Sequence, residues 1–129
     1  MKETLIERAK KAQEKAHVPY SNFRVGAALL TEDGKIYEGC NIEVSSFSLT
    51  CCAERTAIFK AVSEGEKQFR AIAVIGDSEG PVSPCGACRQ VMADFFDEHM
   101  KVYLTNHHNE IKEMTVAQLL PYSFSLDKL

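Results

Sequence analysis

The chain has 129 residues, 45% hydrophobic and 26% charged, with 15 Lys+Arg against 18 Asp+Glu for a formal net charge of −3. At roughly 100–200 residues per domain this predicts one domain over 1–129, and the composition excludes a disordered chain. A mildly acidic surface does not attract a phosphate backbone, which argues against a dedicated nucleic-acid binder and for a small-molecule partner.

The longest apolar runs, Val25 to Leu30 and Ala71 to Ile75, fall far short of the roughly 20 residues that cross a bilayer. Charged residues follow Met1 at once, with no apolar stretch of the kind an export signal needs. The five cysteines are therefore expected in a reducing cytoplasm, as free thiols or metal ligands. Their odd number excludes a closed set of disulfides.

In chain order, Thr4-Leu5-Ile6-Glu7 reads as a capping box that opens a first helix. Leu5, Ile6, Ala9, Ala12 and Ala16 recur at helical spacing, with Lys10, Lys11, Glu14 and Lys15 on the other face. Pro19 disfavours helix in the residue before it, so this helix is expected to end across His17-Val18-Pro19-Tyr20. Arg24–Leu30 and Lys35–Asn41 read as strands around Asp33-Gly34, a hairpin signal. A second helix is expected over Cys52–Ser63, closed near Gly65. Arg70–Gly76 is a short continuous apolar run, the pattern of a central strand buried on both faces.

After a loop from Asp77 to Pro84, a third helix is expected at Cys85–Phe96 and a strand at Lys101–Thr105. The turn Asn106-His107-His108-Asn109 leads to an edge strand at Glu110–Met114. Thr115-Val116-Ala117-Gln118 is a second capping box, opening a last short helix before Pro121. The order α-β-β-α-β-α-β-β-α predicts a three-layer α/β/α fold on one mixed, five-stranded sheet.

Two segments carry chemistry. Cys51-Cys52-Ala53-Glu54-Arg55 and Pro84-Cys85-Gly86-Ala87-Cys88 each enter a predicted helix within a residue or two of a thiol. A helix N-terminus offers free N–H donors and about half a positive charge, so a thiol there ionises readily, and thiolate is the form that binds zinc. Cys85 and Cys88 share a helix face, and Cys52 meets them if the two helices start side by side. Three protein ligands with one position left for water is the usual catalytic zinc arrangement. Glu54 is then placed to shuttle that water's proton.

A closed structural zinc would need a fourth ligand from Cys51, Cys40, His17, His99, His107 or His108, none of which has conventional ligand spacing. Metal-free buried cysteines are the other alternative. Cys51 is expected to be a neighbour, because adjacent residues at a helix start point in different directions. Three thiolates and a divalent zinc sum to a net negative charge. A guanidinium at Arg55, beside Cys52, can hydrogen-bond the sulfurs and withdraw that charge; a surface arginine paired with a carboxylate is the alternative.

C-A-E followed by P-C-x-x-C resembles the zinc deaminase signature, with Cys52 where other branches carry the His of H-x-E. The likeness extends over Pro19-Tyr20-Ser21-Asn22-Phe23, Val25-Gly26-Ala27-Ala28, Gly39-Cys40-Asn41-Ile42-Glu43, Cys52 to Ala57, Ser83 to Gln90 and Leu119-Leu120-Pro121. Taken together, these segments run over nearly the whole chain and resemble the small homotetrameric cytidine deaminases.

The resemblance implies that Cys52, Cys85 and Cys88 bind one Zn²⁺ per chain and that Glu54 is the acid/base. It implies Asn41 and Glu43 at the ribose 3′-hydroxyl, Phe23 packed on the pyrimidine and the backbone of Ala53 at the base edge. Phe124 would be lent to a neighbouring subunit's pocket. The implied activity is hydrolysis of cytidine and deoxycytidine to uridine and deoxyuridine with release of ammonia, in pyrimidine salvage. The implied setting is a cytoplasmic homotetramer with shared active sites and no nucleic-acid or membrane partner. A related deaminase of another aminopyrimidine nucleoside, such as a nucleoside antibiotic, is the alternative, and a catalytically silent zinc-binding domain is a second. Where the family reads N-I-E-N-A-x-Y, this chain has Asn41-Ile42-Glu43-Val44-Ser45-Ser46-Phe47, which leaves substrate range open. A loop is expected just after Cys40, in which Asn41 and Glu43 can both meet one sugar hydroxyl, Glu43 accepting and Asn41 donating.

Overall fold

The structure of the protein, a computed structural model, describes residues 1–128. Its elements follow the expected order: α1 (Lys2–Gln13), β1 (Val25–Thr31), β2 (Ile36–Cys40), α2 (Ala53–Ser63), β3 (Phe69–Gly76), α3 (Gly86–Phe95), β4 (Lys101–Thr105), β5 (Ile111–Thr115) and α4 (Val116–Leu119). Short 3₁₀ turns lie at Phe47–Leu49 and Leu126–Lys128. The strands pair in the order β2-β1-β3-β4-β5. β3 and β4 run parallel and the other neighbours antiparallel, so the sheet is mixed as expected.

The period-2 alternation of β1 and β3 divides the core between two layers. Ala28, Leu30, Ala71, Ala73 and Ile75 face α1, which covers them with Leu5, Ile6 and Ala9. Ala27, Leu29, Ile72 and Val74 face the other way, under Ala57 and Ile58 of α2, Met92 of α3, and Val116 and Leu119 of α4. Burial on both faces is why the Arg70–Gly76 segment is continuously apolar. Each fully buried Leu or Ile side chain contributes about 1.5–3 kcal/mol, and Leu5, Leu29, Leu30, Ile58, Ile72 and Ile75 are of this kind. At Gly39 the backbone of α2 comes so near that a Cβ would lie 2.5 Å from the Ala53 carbonyl oxygen. Any side chain there would push the start of α2 away from the sheet.

The first helix departs from expectation at both ends. It starts at Lys2, and no side chain caps it, so Thr4 to Glu7 is not a capping box. The Leu5 N–H finds the Met1 carbonyl at 2.9 Å, which places Thr4 inside the first turn. The helix also stops at Gln13, short of His17. His17 instead joins the segment after β2: its N–H donates to Asn41 O at 3.0 Å, and its carbonyl accepts from Glu43 N at 2.8 Å. That pairing replaces the helical bonds. The second capping box is present as expected, with Thr115 and Gln118 bonded reciprocally. Gly65, at φ 96°, closes α2 through Gly65 N to Val62 O and Glu66 N to Ala61 O. No helix among the described residues is long and apolar enough to cross a membrane.

The register decides where function can sit. Val25 lies beside Gly76, Gly26 beside Cys40, and Ile75 beside Thr105. The segments before β1, after β2 and after β3 therefore all emerge at one end of the sheet. This is the carboxyl end of the parallel pair β3–β4, where open α/β sheets bind ligands.

Candidate active site

Cys52 is the N-cap of α2 and Cys85 the N-cap of α3, both with extended backbone. Cys88 is fully buried in the first turn of α3. The three Sγ atoms lie within 4.8 Å of one another, with Cys52 and Cys85 at 3.8 Å. In a tetrahedral thiolate site with Zn–S of about 2.3 Å, sulfurs stand about 3.8 Å apart, so this donor set fits zinc. Among the described residues no His, Asp, Glu or further Cys completes a fourth corner. Cys51 turns away, its Sγ accepting from the Thr56 hydroxyl at 3.4 Å. His107 is held by Asp77, with Nε2 3.1 Å from Oδ1.

The electrostatics follow from this packing. Arg55 donates from Nη2 to Cys52 Sγ at 3.1 Å. Hydrogen bonding with Cys88, then with Arg55, outweighs burial and brings the Cys52 thiol down to about 5. Cys88 is pushed far up by the same bond and by its burial. The hydrogen bond and charge of Cys52 in turn hold the Arg55 guanidinium more firmly protonated. Arg55 Nε is a buried donor with no hydrogen-bond partner among the described residues. An orphaned donor costs about 1–3 kcal/mol, and an ionised Cys52 sulfur beside this guanidinium lowers that cost. Glu54, in the first turn of α2, is only 4% exposed. Burial pushes its carboxyl up to about 7, and the Cys52 charge adds to the rise. A carboxyl poised there can both take and give a proton at neutral pH.

The chain breaks from β2 at Cys40, and Asn41 and Glu43 occupy the expected loop. Both grip the segment that leads into β1. Asn41 Oδ1 accepts from Val25 N at 2.9 Å, and its Nδ2 donates to Phe23 O at 2.8 Å. Glu43 Oε1 accepts from Tyr20 N at 3.0 Å and Ser21 N at 3.1 Å, while Oε2 accepts from the Ser21 hydroxyl. The Ser21 hydroxyl, first among these partners, holds the Glu43 carboxyl below its ordinary value against its burial. Phe23 is partly exposed, and a Cβ on Gly76 would come 3.5 Å from its ring. Ala53 is fully buried at the start of α2. Phe124 is 59% exposed, its carbonyl accepting from Gln90 Nε2 at 3.0 Å. In the segment that departs from the family pattern, Tyr20 and Phe47 pack edge to face at 6.4 Å, and the Tyr20 hydroxyl meets Ser45 Oγ at 2.7 Å.

Three supporting residues escaped the sequence reading. Arg89 donates to Pro84 O at 2.9 Å, Leu119 O at 2.8 Å and Ser83 Oγ at 2.7 Å, fixing the backbone that leads into Cys85. Asp77 and Gln13 bind the segment around Arg24. Gln13 alone gave a signal: it stands four residues after Ala9 and eight after Leu5, a polar group on the apolar stripe, where a buried partner must exist. A groove of about 590 Å³ along α1 is lined mainly by charged side chains and contains none of the three thiols.

Residues 1–105 match the family described as the cytidine and deoxycytidylate deaminase zinc-binding region. The chain is similar to the cytidine deaminase of Sporosarcina psychrophila, with 64% identity covering 98% of this chain and 93% of that one. The crystal structure of the cytidine deaminase from Burkholderia pseudomallei superposes with a TM-score of 0.94 at 50% identity, covering 96% of this chain and 99% of that one. The blasticidin-S deaminase of Bacillus cereus is a more distant relative, at 31% identity over 93% of this chain and 91% of that one.

Proposed function

The chain belongs to the cytidine and deoxycytidylate deaminase family, and from that premise we propose that it is a hydrolytic cytidine deaminase, turning cytidine and deoxycytidine into uridine and deoxyuridine with release of ammonia. The observation that carries this reading is the meeting of three thiols from two helix starts beside the buried carboxyl of Glu54.

Cys52, Cys85 and Cys88 would hold one zinc per chain. Zinc bound there supplies Lewis acidity, which makes a water nucleophilic at neutral pH. Glu54 would take up a proton from the attacking water as the water's oxygen bonds to C4 of the base. Glu54 then delivers that proton to N3 and next carries the second proton of the former water from the C4 hydroxyl to the amino group, so that the C4–N bond breaks, ammonia leaves and C4 becomes a carbonyl. Arg55 draws charge from the sulfur of Cys52. Phe23 packs on the pyrimidine, and the backbone of Ala53 meets the base edge. Asn41 and Glu43 bind the ribose 3′-hydroxyl while still holding the loop: Glu43 accepts from the hydroxyl with a spare lone pair, and the amide group of Asn41, which has two N–H donors, donates to it.

Phe124 completes a neighbouring subunit's pocket in a homotetramer of single-domain chains spanning 1–129. The setting is cytoplasmic pyrimidine salvage, with no nucleic-acid or membrane partner. The 64% identity to the Sporosarcina psychrophila cytidine deaminase, about twice the 31% to the blasticidin-S deaminase, supports cytidine over a nucleoside antibiotic as substrate.

Loss of cytosine-ring absorbance, measured with cytosine, cytidine, deoxycytidine, CMP and blasticidin S, tests the reading. Cytidine and deoxycytidine should both turn over, because the clamp calls for no 2′-hydroxyl. Free cytosine leaves the clamp without its hydroxyl, and CMP brings roughly two negative charges toward Glu43, so both should be poor. Equal turnover of CMP or cytosine would remove the ribose assignment, and a preference for blasticidin S would move the enzyme to the alternative class.

A further inference from the structure

We propose that Asp77 is a positioning residue that aims Phe23 at the substrate base. This deepens the reading above and rests on Phe23 packing against the pyrimidine.

Asp77 is the first residue beyond β3. Its Oδ2 accepts from the backbone N–H of Arg24 at 2.9 Å and from Arg24 Nε at 3.2 Å. Its Oδ1 accepts from Gln13 Nε2 at 3.3 Å and meets His107 Nε2 at 3.1 Å. The loop before β1, helix α1 and the β4–β5 turn therefore converge on one carboxylate. Gln13, 2% exposed, also donates to the Arg24 carbonyl at 3.0 Å.

The consequence falls on the peptide group that joins Phe23 to Arg24. Its carbonyl oxygen is held by Asn41 Nδ2 at 2.8 Å and its N–H by Asp77 at 2.9 Å. The plane of that peptide sets ψ of Phe23. On the other side, Phe23 N donates to Ser21 Oγ at 3.0 Å, and Asn22 sits in the left-handed region at φ 57°. Phe23 thus has no free backbone torsion while these bonds persist. Its ring lies over Gly76, immediately before Asp77, where a Cβ would also meet Val82 Cγ2 at 2.6 Å. Gly76 seats the ring and Asp77 orients its backbone.

An amide at position 77 cannot accept on every side as the carboxylate does, so Asp77→Asn breaks part of this hub at constant volume. The zinc-loaded parent, Phe23→Ala, Asp77→Asn, Asp77→Ala and Phe23→Ala/Asp77→Ala are assayed with cytidine, and amide hydrogen exchange is read at Arg24. Asp77→Asn and Asp77→Ala should raise KM roughly three- to tenfold, the worth of one aromatic contact, with kcat within about twofold of the parent. Exchange at Arg24 N–H should quicken. In the Phe23→Ala background, loss of Asp77 should change KM by less than about twofold, because the ring it aims is gone.

Effects that multiply in full in the double variant, unchanged exchange at Arg24, or a fall in kcat at parental KM would each overturn the proposal. Should Asp77→Ala not fold, Asp77→Asn carries the same cycle. A parental KM in Phe23→Ala would remove Phe23 from the pocket and the Asp77 proposal with it. A raised KM in Phe23→Ala beside a parental KM in Asp77→Asn would overturn Asp77 alone.

Discussion

Arg55 Nη2 stands 3.1 Å from Cys52 Sγ, nearly one turn along the same helix. Three thiolates around a divalent metal leave a net negative charge, and a guanidinium bonded to one sulfur withdraws part of it. Groups that tune a metal's ligands in this way typically change affinity or activity about 10–100-fold. Arg55→Gln should therefore keep the fold while kcat or zinc retention falls within that range. Parental values for both would make Arg55 a plain surface-pairing residue.

Adjacent cysteines separate ligand from neighbour. Cys85→Ser and Cys88→Ser should each lose most of the zinc found by metal analysis. Cys51→Ser should keep both zinc and turnover, because that thiol bonds Thr56 and lies outside the cluster. Zinc loss in Cys51→Ser alone would mean that the neighbour is the ligand.

Acid should loosen the loop that carries Phe23. Glu43 has an ordinary value of 4.5 and is held lower, by the Ser21 hydroxyl first and then by the N–H groups of Ser21 and Tyr20. A carboxyl lowered in the folded state contributes stability that is fully present above its unfolded value and is lost as pH falls through its folded value. The melting temperature of the parent should exceed that of Glu43→Gln by a constant margin above pH 4.5, and the margin should close below it. A gap that widened toward acid would reverse the assignment.

Much of this was legible because it is local. Helical and strand periodicities fix the order of elements, and Pro-Cys-x-x-Cys and Cys-x-Glu at helix starts fix where the three thiols and Glu54 stand. The two capping boxes show where local reading ends. Thr115 caps because β5 arrives extended and α4 starts at the next residue. Thr4 has the same motif but lies inside a helix that has already begun. The scaffold of the site was hidden for a different reason: Gln13 and Asp77 meet across 64 positions, and Arg89 reaches Leu119 across 30. Those partnerships exist only once sheet register has brought the loops to one end.

Phe124 and Phe47 are each 59% exposed, and Leu126 is 74% exposed. Large exposed apolar side chains call for a partner surface, and a second copy of the chain supplies it in the proposed homotetramer. Sedimentation should show the active species as a tetramer, and Phe124→Ala should raise KM without loss of zinc. Full activity from a monomer would contradict the shared pocket.

The central claim is that a metal held by three thiols and a proton carried by Glu54 perform the reaction together. It is tested most directly by zinc content and cytidine turnover measured side by side in the parent and in Glu54→Gln. One zinc per chain in both, with turnover lower by at least the roughly 10²–10⁴-fold typical of a lost general acid/base, is the predicted result. Turnover within tenfold of the parent at full zinc content would contradict it.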